Sequence, residues 1–133
     1  MKGTVLVIED NEKNLYLVTF ILEKCGYQVV QARDGQTGIR LARKINPDLI
    51  LLDIQLPVMD GYAVAREITK DSGLRGIPIV AVTSYAMLGD RERVLAAGCM
   101  GYIEKPINPL TFVAEIEQYL LAGKEGNAPK SEP

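Results

Sequence analysis

Short, nearly continuous apolar runs alternate along the chain with longer segments whose apolar residues recur at helical spacing, and the alternation repeats five times. The runs that read as strands cover residues 4–8, 27–31, 49–52, 77–82 and 101–103. The first, third and fourth lack a polar face, as expected of strands covered on both sides. Between them, Gly38, Leu41, Ala42 and Ile45 fall at i, i+3, i+4 and i+7, and Leu15, Val18, Leu22 and Cys25 approximate that spacing. Both segments predict amphipathic helices with one stripe turned inward. Gly26, the Asn46-Pro47 step, Gly73 with Gly76, and Gly98 mark helix ends. Asn108 followed by Pro109 reads as an N-cap and a first helical residue, opening a last helix with Val113, Ile116 and Leu120 inward.

Five βα units imply an α/β fold, a doubly wound parallel sheet with helices on both faces, because crossovers between parallel strands are almost always right-handed. The 133 residues suffice for one domain with its own core. From residue 122 onward no large apolar side chain is left to bury, so a domain over 1–121 and a disordered tail or linker over 122–133 are expected.

Composition narrows the function classes. Basic residues are scattered singly and the net charge is −2, which argues against nucleic-acid binding. The N-terminal apolar run is too short for a signal-peptide core or a membrane span, so a cytoplasmic protein is expected. Cys25 and Cys99 are far apart and there is no histidine, which leaves no zinc site. Both cysteines read as reduced packing residues.

Charges stand where the strand runs end: Glu9 and Asp10 after the first, Asp53 after the third, Lys105 after the fifth. Singly, an acid or a lysine there is a solvated cap. As neighbours in a parallel sheet they would share the carboxyl edge, where open α/β sheets bind ligands. Three converging carboxylates repel unless a cation neutralises them or one stays protonated. A hard divalent cation such as Mg²⁺, which takes oxygen ligands and retains waters, suits such a site. An aspartate beside it can act as nucleophile toward a phosphoryl group, with Lys105 as a point charge for the transferred oxygens.

Four motifs in order, the acidic pair Glu9-Asp10, the stretch Asp53-Ile54-Gln55-Leu56-Pro57-Val58-Met59-Asp60-Gly61, Thr83, and Lys105-Pro106, resemble the receiver domains of two-component response regulators over the whole ordered length. The resemblance implies a flavodoxin-like five-stranded parallel sheet of order 2-1-3-4-5 with five helices. It implies Asp53 as phosphoacceptor, Asp10 as a direct Mg²⁺ ligand, Glu9 as a ligand acting chiefly through water, and the main-chain carbonyl of Gln55 as a further ligand. Lys105 would pair with Asp53 or the phosphoryl group, and the Lys105–Pro106 peptide bond would be cis. Thr83 and Tyr102 look like a switch pair that responds to phosphorylation through residues 83–89 and changes the face made by helix four, strand five and helix five, including Arg91, Tyr102 and Ile107.

The implied partners are a sensor histidine kinase or histidine phosphotransfer protein as donor and a downstream protein on that face, with the chain monomeric or weakly dimeric on phosphorylation. A receiver catalyses only its own phosphorylation and dephosphorylation and is otherwise not an enzyme. The start at Met1 and the lack of an output domain favour a stand-alone regulator over a piece of a hybrid kinase. Two features depart from the family's usual pattern: Ser84 after Thr83, and the bulk of Tyr85, which would hinder the hydrolytic water and prolong the phosphoryl group's life. Gln55 would oppose that effect by orienting water. A flavodoxin-type electron carrier is the less favoured alternative, because Glu9-Asp10-Asn11-Glu12 would repel a cofactor phosphate. A phosphate-independent docking module is the other.

Overall fold

The computed structural model describes residues 2–84 and 88–124. Its elements follow as β1 (Thr4–Ile8), α1 (Glu12–Lys24), β2 (Gln28–Ala32), α2 (Gly35–Ile45), β3 (Leu49–Asp53), α3 (Gly61–Lys70), a 3-10 turn (Ser72–Leu74), β4 (Ile79–Thr83), α4 (Leu88–Ala96), β5 (Gly101–Glu104) and α5 (Pro109–Lys124). All neighbouring strands are parallel, in the order β2-β1-β3-β4-β5.

Strand order and crossover hand together decide which helix covers which face. The chain moves one way along the sheet from β1 to β2 and the other way from β2 through β3 and β4 to β5, so right-handed crossovers place α1 opposite α2, α3 and α4. The packing follows this. Leu6, Ile8, Ile50 and Leu52 meet Ala42 of α2, Val64 and Ile68 of α3 and Val94 of α4. Val5, Val7, Leu49 and Leu51, the alternate positions of the same strands, meet Leu15, Val18 and Leu22 of α1 and Phe112, Ile116 and Leu120 of α5. Unbroken apolar strands are what two cores require, since successive side chains point to opposite faces.

Side-chain caps start α1, α2, α3 and α5 immediately after the loops. The Asn11, Asp34 and Asp60 side chains accept from the main-chain N–H of Asn14 (3.0 Å), Thr37 (2.8 Å) and Ala63 (3.0 Å), and Asn108 Oδ1 accepts from Leu110 N–H at 3.0 Å. Asn46, left-handed at φ 48°, ends α2.

Some boundaries differ from those expected. β4 begins at Ile79 rather than residue 77, because Pro78 has no N–H for the ladder and only its carbonyl takes part, accepting from Ile50 N–H at 2.9 Å. β2 begins at Gln28, while Tyr27 is buried ahead of it with its hydroxyl donating to Glu117 at 2.9 Å. In α5 the buried residue of the first turns is Phe112, and Val113 is only half-buried. The helix runs three residues past the compositional break after Leu121. Residues 125–133, the rest of the expected tail, lie outside the described residues.

Cys25 and Cys99 are free, and burial pushes the Cys99 thiol up to about 12. Among the described residues no helix is long and apolar enough to cross a membrane.

Candidate functional site

The strands β1 and β3 are neighbours from which the chain departs in opposite directions, and the crevice at such a switch point is where open α/β sheets bind ligands. Glu9 stands one residue past β1, its N–H still donating to the Ala32 carbonyl at 2.9 Å, so the strand continues to direct its side chain. Its carboxylate accepts from Asn11 N–H at 3.1 Å, and Asn11 in turn caps α1. Asp53 is the last residue of β3, in register with Val82, and its Oδ1 accepts from Gln55 N–H at 3.0 Å. Both acids are buried, and Asp10 is exposed.

The loop behind Asp53 is held by a close approach. Gly61, the first residue of α3, donates its N–H to the Ile54 carbonyl at 3.0 Å, and a Cβ there would lie 2.5 Å from Ile54 Cα and 2.6 Å from the Asp53 carbonyl oxygen. Only glycine permits that contact.

Lys105 enters from the far side. Its N–H donates to the Thr83 carbonyl at 2.8 Å, the bond to Pro106 is cis, and its Nζ lies 3.3 Å from Glu9 Oε1 and 3.5 Å from Asp53 Oδ1. The ammonium therefore bridges two buried acids, whereas the sequence pointed to Asp53 as its partner. Three carboxylates against one ammonium still leave an excess of negative charge. One oxygen from each of Glu9, Asp10 and Asp53 lies within 4.8 Å of the others, and among the described residues no other cluster of this kind occurs. Burial, followed by a hydrogen bond and repulsion from Asp53, pushes the Glu9 carboxyl up to about 7, against the opposing pull of Asn11 N–H and Lys105. The donors are all oxygen, which suits a hard cation.

Thr83 ends β4 opposite Glu104 and is buried; Tyr102, one strand over, is half-buried with the Arg91 guanidinium 5.2 Å from its ring centroid. The Gln55 side chain reaches across the mouth, its Oε1 3.5 Å from Ser84 N–H. Tyr85 and the centre of segment 83–89 lie outside the described residues.

Two features carried no sequence signal. Arg93 of α4 stacks 4.1 Å from the Tyr62 ring centroid of α3, a contact between residues too distant in sequence for any periodicity to register. Val58, in the loop after Asp53, is fully exposed at φ 65°, a conformation β-branched residues rarely take.

The profile of the Response regulator receiver domain family matches residues 5–117. The polar-differentiation response regulator DivK of Brucella ovis is 44% identical over 120 residues, 90% of this chain and 98% of that protein. Among solved structures, the receiver domain of sensor histidine kinase PA1611 from Pseudomonas aeruginosa, with a magnesium ion coordinated in its active-site cleft, is 35% identical at a TM-score of 0.83, covering 90% of this chain and 98% of its own. Chemotaxis protein CheY4 of Vibrio cholerae is 27% identical at a TM-score of 0.85, covering 90% of this chain and 99% of its own. Matched by that profile over most of its length and 44% identical to a response regulator that it spans almost completely, the chain belongs to the response regulator receiver domain family of two-component signalling.

Proposed function

We propose that Asp53 is the phosphoacceptor of this receiver. The observation that carries this is the bridging of Asp53 and Glu9 by the Lys105 ammonium inside a pocket with surplus negative charge. An Asp53 oxygen attacks phosphorus, the phosphorus–nitrogen bond of a phosphohistidine breaks, and the imidazole leaves; the product is an aspartyl phosphate. Asp53 requires no general base, because it is used as the carboxylate. Lys105 transfers its contact from the carboxylates to the phosphoryl oxygens, and positioning with charge stabilisation supplies most of what phosphoryl transfer needs.

Glu9, Asp10, Asp53 and the main-chain carbonyl of Gln55 would hold Mg²⁺. The ion supplies charge neutralisation for the phosphoryl oxygens when bound. The all-oxygen donor set, the raised Glu9 carboxyl and the magnesium in the cleft of the Pseudomonas aeruginosa relative support this assignment.

Thr83 and Tyr102 are the switch pair, with the Thr83 hydroxyl turning to a phosphoryl oxygen and Tyr102 following inward. The response reaches the face formed by α4, β5 and α5, which receives the downstream protein. A change from 1:99 to 99:1 needs about 5.5 kcal/mol of differential stabilisation, within reach of two or three charge-assisted contacts.

The donor is a sensor histidine kinase or a histidine phosphotransfer protein. The chain acts in the cytoplasm, with a receiver domain that runs to the end of α5 and a tail or linker after it; it is monomeric or weakly dimeric when phosphorylated, and catalyses only its own phosphorylation and dephosphorylation.

The test is intact mass after incubation with Mg²⁺ and acetyl phosphate, beside Asp53→Ala. A gain of one phosphoryl group in the parent alone is expected. The same gain in the variant would move the acceptor elsewhere.

A further inference from the structure

At the opposite end of the sheet from the carboxylates, a cleft of about 490 Å³ opens between the end of α3, the entry into β4 and the last turn of α5. Its walls are apolar: Ile68, Leu74, Ile77, Pro78 and Met100. The size and lining fall in the range of small-molecule sites, which are mostly apolar with a few polar groups that orient the ligand. The α5 backbone closes one side at Gly123, where a Cβ would lie only 2.8 Å from the Pro78 ring.

The charged group on this lining is Arg75. Its side chain is exposed, and among the described residues no carboxylate pairs with it. Asp48 lines an adjoining pocket together with Arg75 and Pro78, where its carboxylate accepts from Thr4 N–H at 2.8 Å and forms no ion pair with the guanidinium. An apolar slot with an unpaired guanidinium beside it matches a ligand with an apolar body and a single anionic head.

We propose that this cleft binds a small amphiphilic anion, a medium-chain carboxylate or a compound of like chemistry, with the chain against Ile77, Pro78 and Met100 and the head group on Arg75. The site is separate from the phosphorylation crevice and needs neither Mg²⁺ nor Asp53 chemistry, so it stands or falls independently of the phosphoacceptor assignment.

The test is titration of the full ¹⁵N-labelled chain with decanoate and with decanol, following amide shifts, in the parent, Arg75→Ala and Arg75→Lys. Saturable shifts at Thr69, Gly76, Ile77, Met100 and Gly123 are expected with both probes. Arg75→Ala should weaken decanoate about threefold, as befits an exposed ion pair, without changing decanol, and Arg75→Lys should retain the parent preference. Absence of saturable shifts at those amides would overturn the proposal, as would shifts centred elsewhere. An equal loss of both probes in Arg75→Ala, or an unchanged ratio between them, would overturn the role of the guanidinium and with it the anionic ligand.

Discussion

A carboxyl buried beside another carboxylate keeps its proton to higher pH than one in water, and Glu9 does so up to about 7 against an ordinary 4.5. The folded, metal-free chain therefore binds the Glu9 proton more tightly than the unfolded chain. The stability from this difference is full below pH 4.5 and is lost as pH rises through 7. In chelator, the parent should lose stability relative to Glu9→Gln across that window, by at most about 1.4 kcal/mol per pH unit, and the difference should level off above it. Urea unfolding at several pH values measures this; a pH-independent difference would contradict the assigned environment of Glu9. Since a cation binds the deprotonated site, Mg²⁺ should raise the melting temperature more above pH 7 than below pH 4.5. Val58 is a second case where one residue's setting outweighs its type. Its left-handed φ of 65° is strained for a β-branched side chain that is exposed and gains no burial in return. Val58→Asn, which tolerates that conformation, should raise unfolding stability by about 0.5–1 kcal/mol in chemical denaturation. The sequence marked both positions as part of a motif, but neither the raised carboxyl nor the strained backbone has a signature in residue order.

At the scale of elements, the site depends on how α3 meets the end of β3. The Asp60 side chain caps α3 through Ala63 N–H, and Gly61 brings the helix start against the main chain of Asp53 and Ile54. These neighbours do different work, and substitution should separate them. Asp60→Ala should cost about 1 kcal/mol, the value of a lost cap, and leave phosphorylation by acetyl phosphate near the parent rate. Gly61→Ala should cost about 2 kcal/mol or more and also slow phosphorylation, because the backbone that carries Asp53 must shift to admit the new Cβ. Comparing unfolding curves with phosphorylation rates decides this; a Gly61→Ala chain as fast as the parent would show that Asp53 is positioned from elsewhere. Existence and type of these elements were legible in the alternating pattern. Their edges were less so: apolar periodicity could not tell that β4 begins only after Pro78, nor that Phe112 rather than Val113 turns inward, since either phase fits a helix that also places Ile116 and Leu120 inside.

Over the whole molecule, one sheet serves two cores, so damage to one face should be felt cooperatively. Phe112, fully buried between α5 and the sheet, shares its cluster with α1 and with β1, β3, β4 and β5. Phe112→Ala should cost about 3–5 kcal/mol in equilibrium unfolding, with a single transition by fluorescence and circular dichroism; a cost under 1 kcal/mol would mean that this core collapses around the loss. Residue order alone determined the βα alternation, the apolar strands covered on both faces and the arrival of Glu9, Asp10, Asp53, Thr83 and Lys105 at strand ends, because burial period and helix caps are local and leave local marks. The tertiary structure decided the rest. Strand order brings β1 beside β3 and Glu9 within 3.3 Å of Lys105; the direction of each crossover assigns each helix its face. Packing sets Arg91 over Tyr102 and Arg93 over Tyr62, and opens the Arg75 cleft beneath α5. These are distances between residues far apart in the chain, and desolvation of a carboxyl depends on everything packed around it. No local pattern encodes either quantity, so both exist only once the sheet has formed and its two faces are covered.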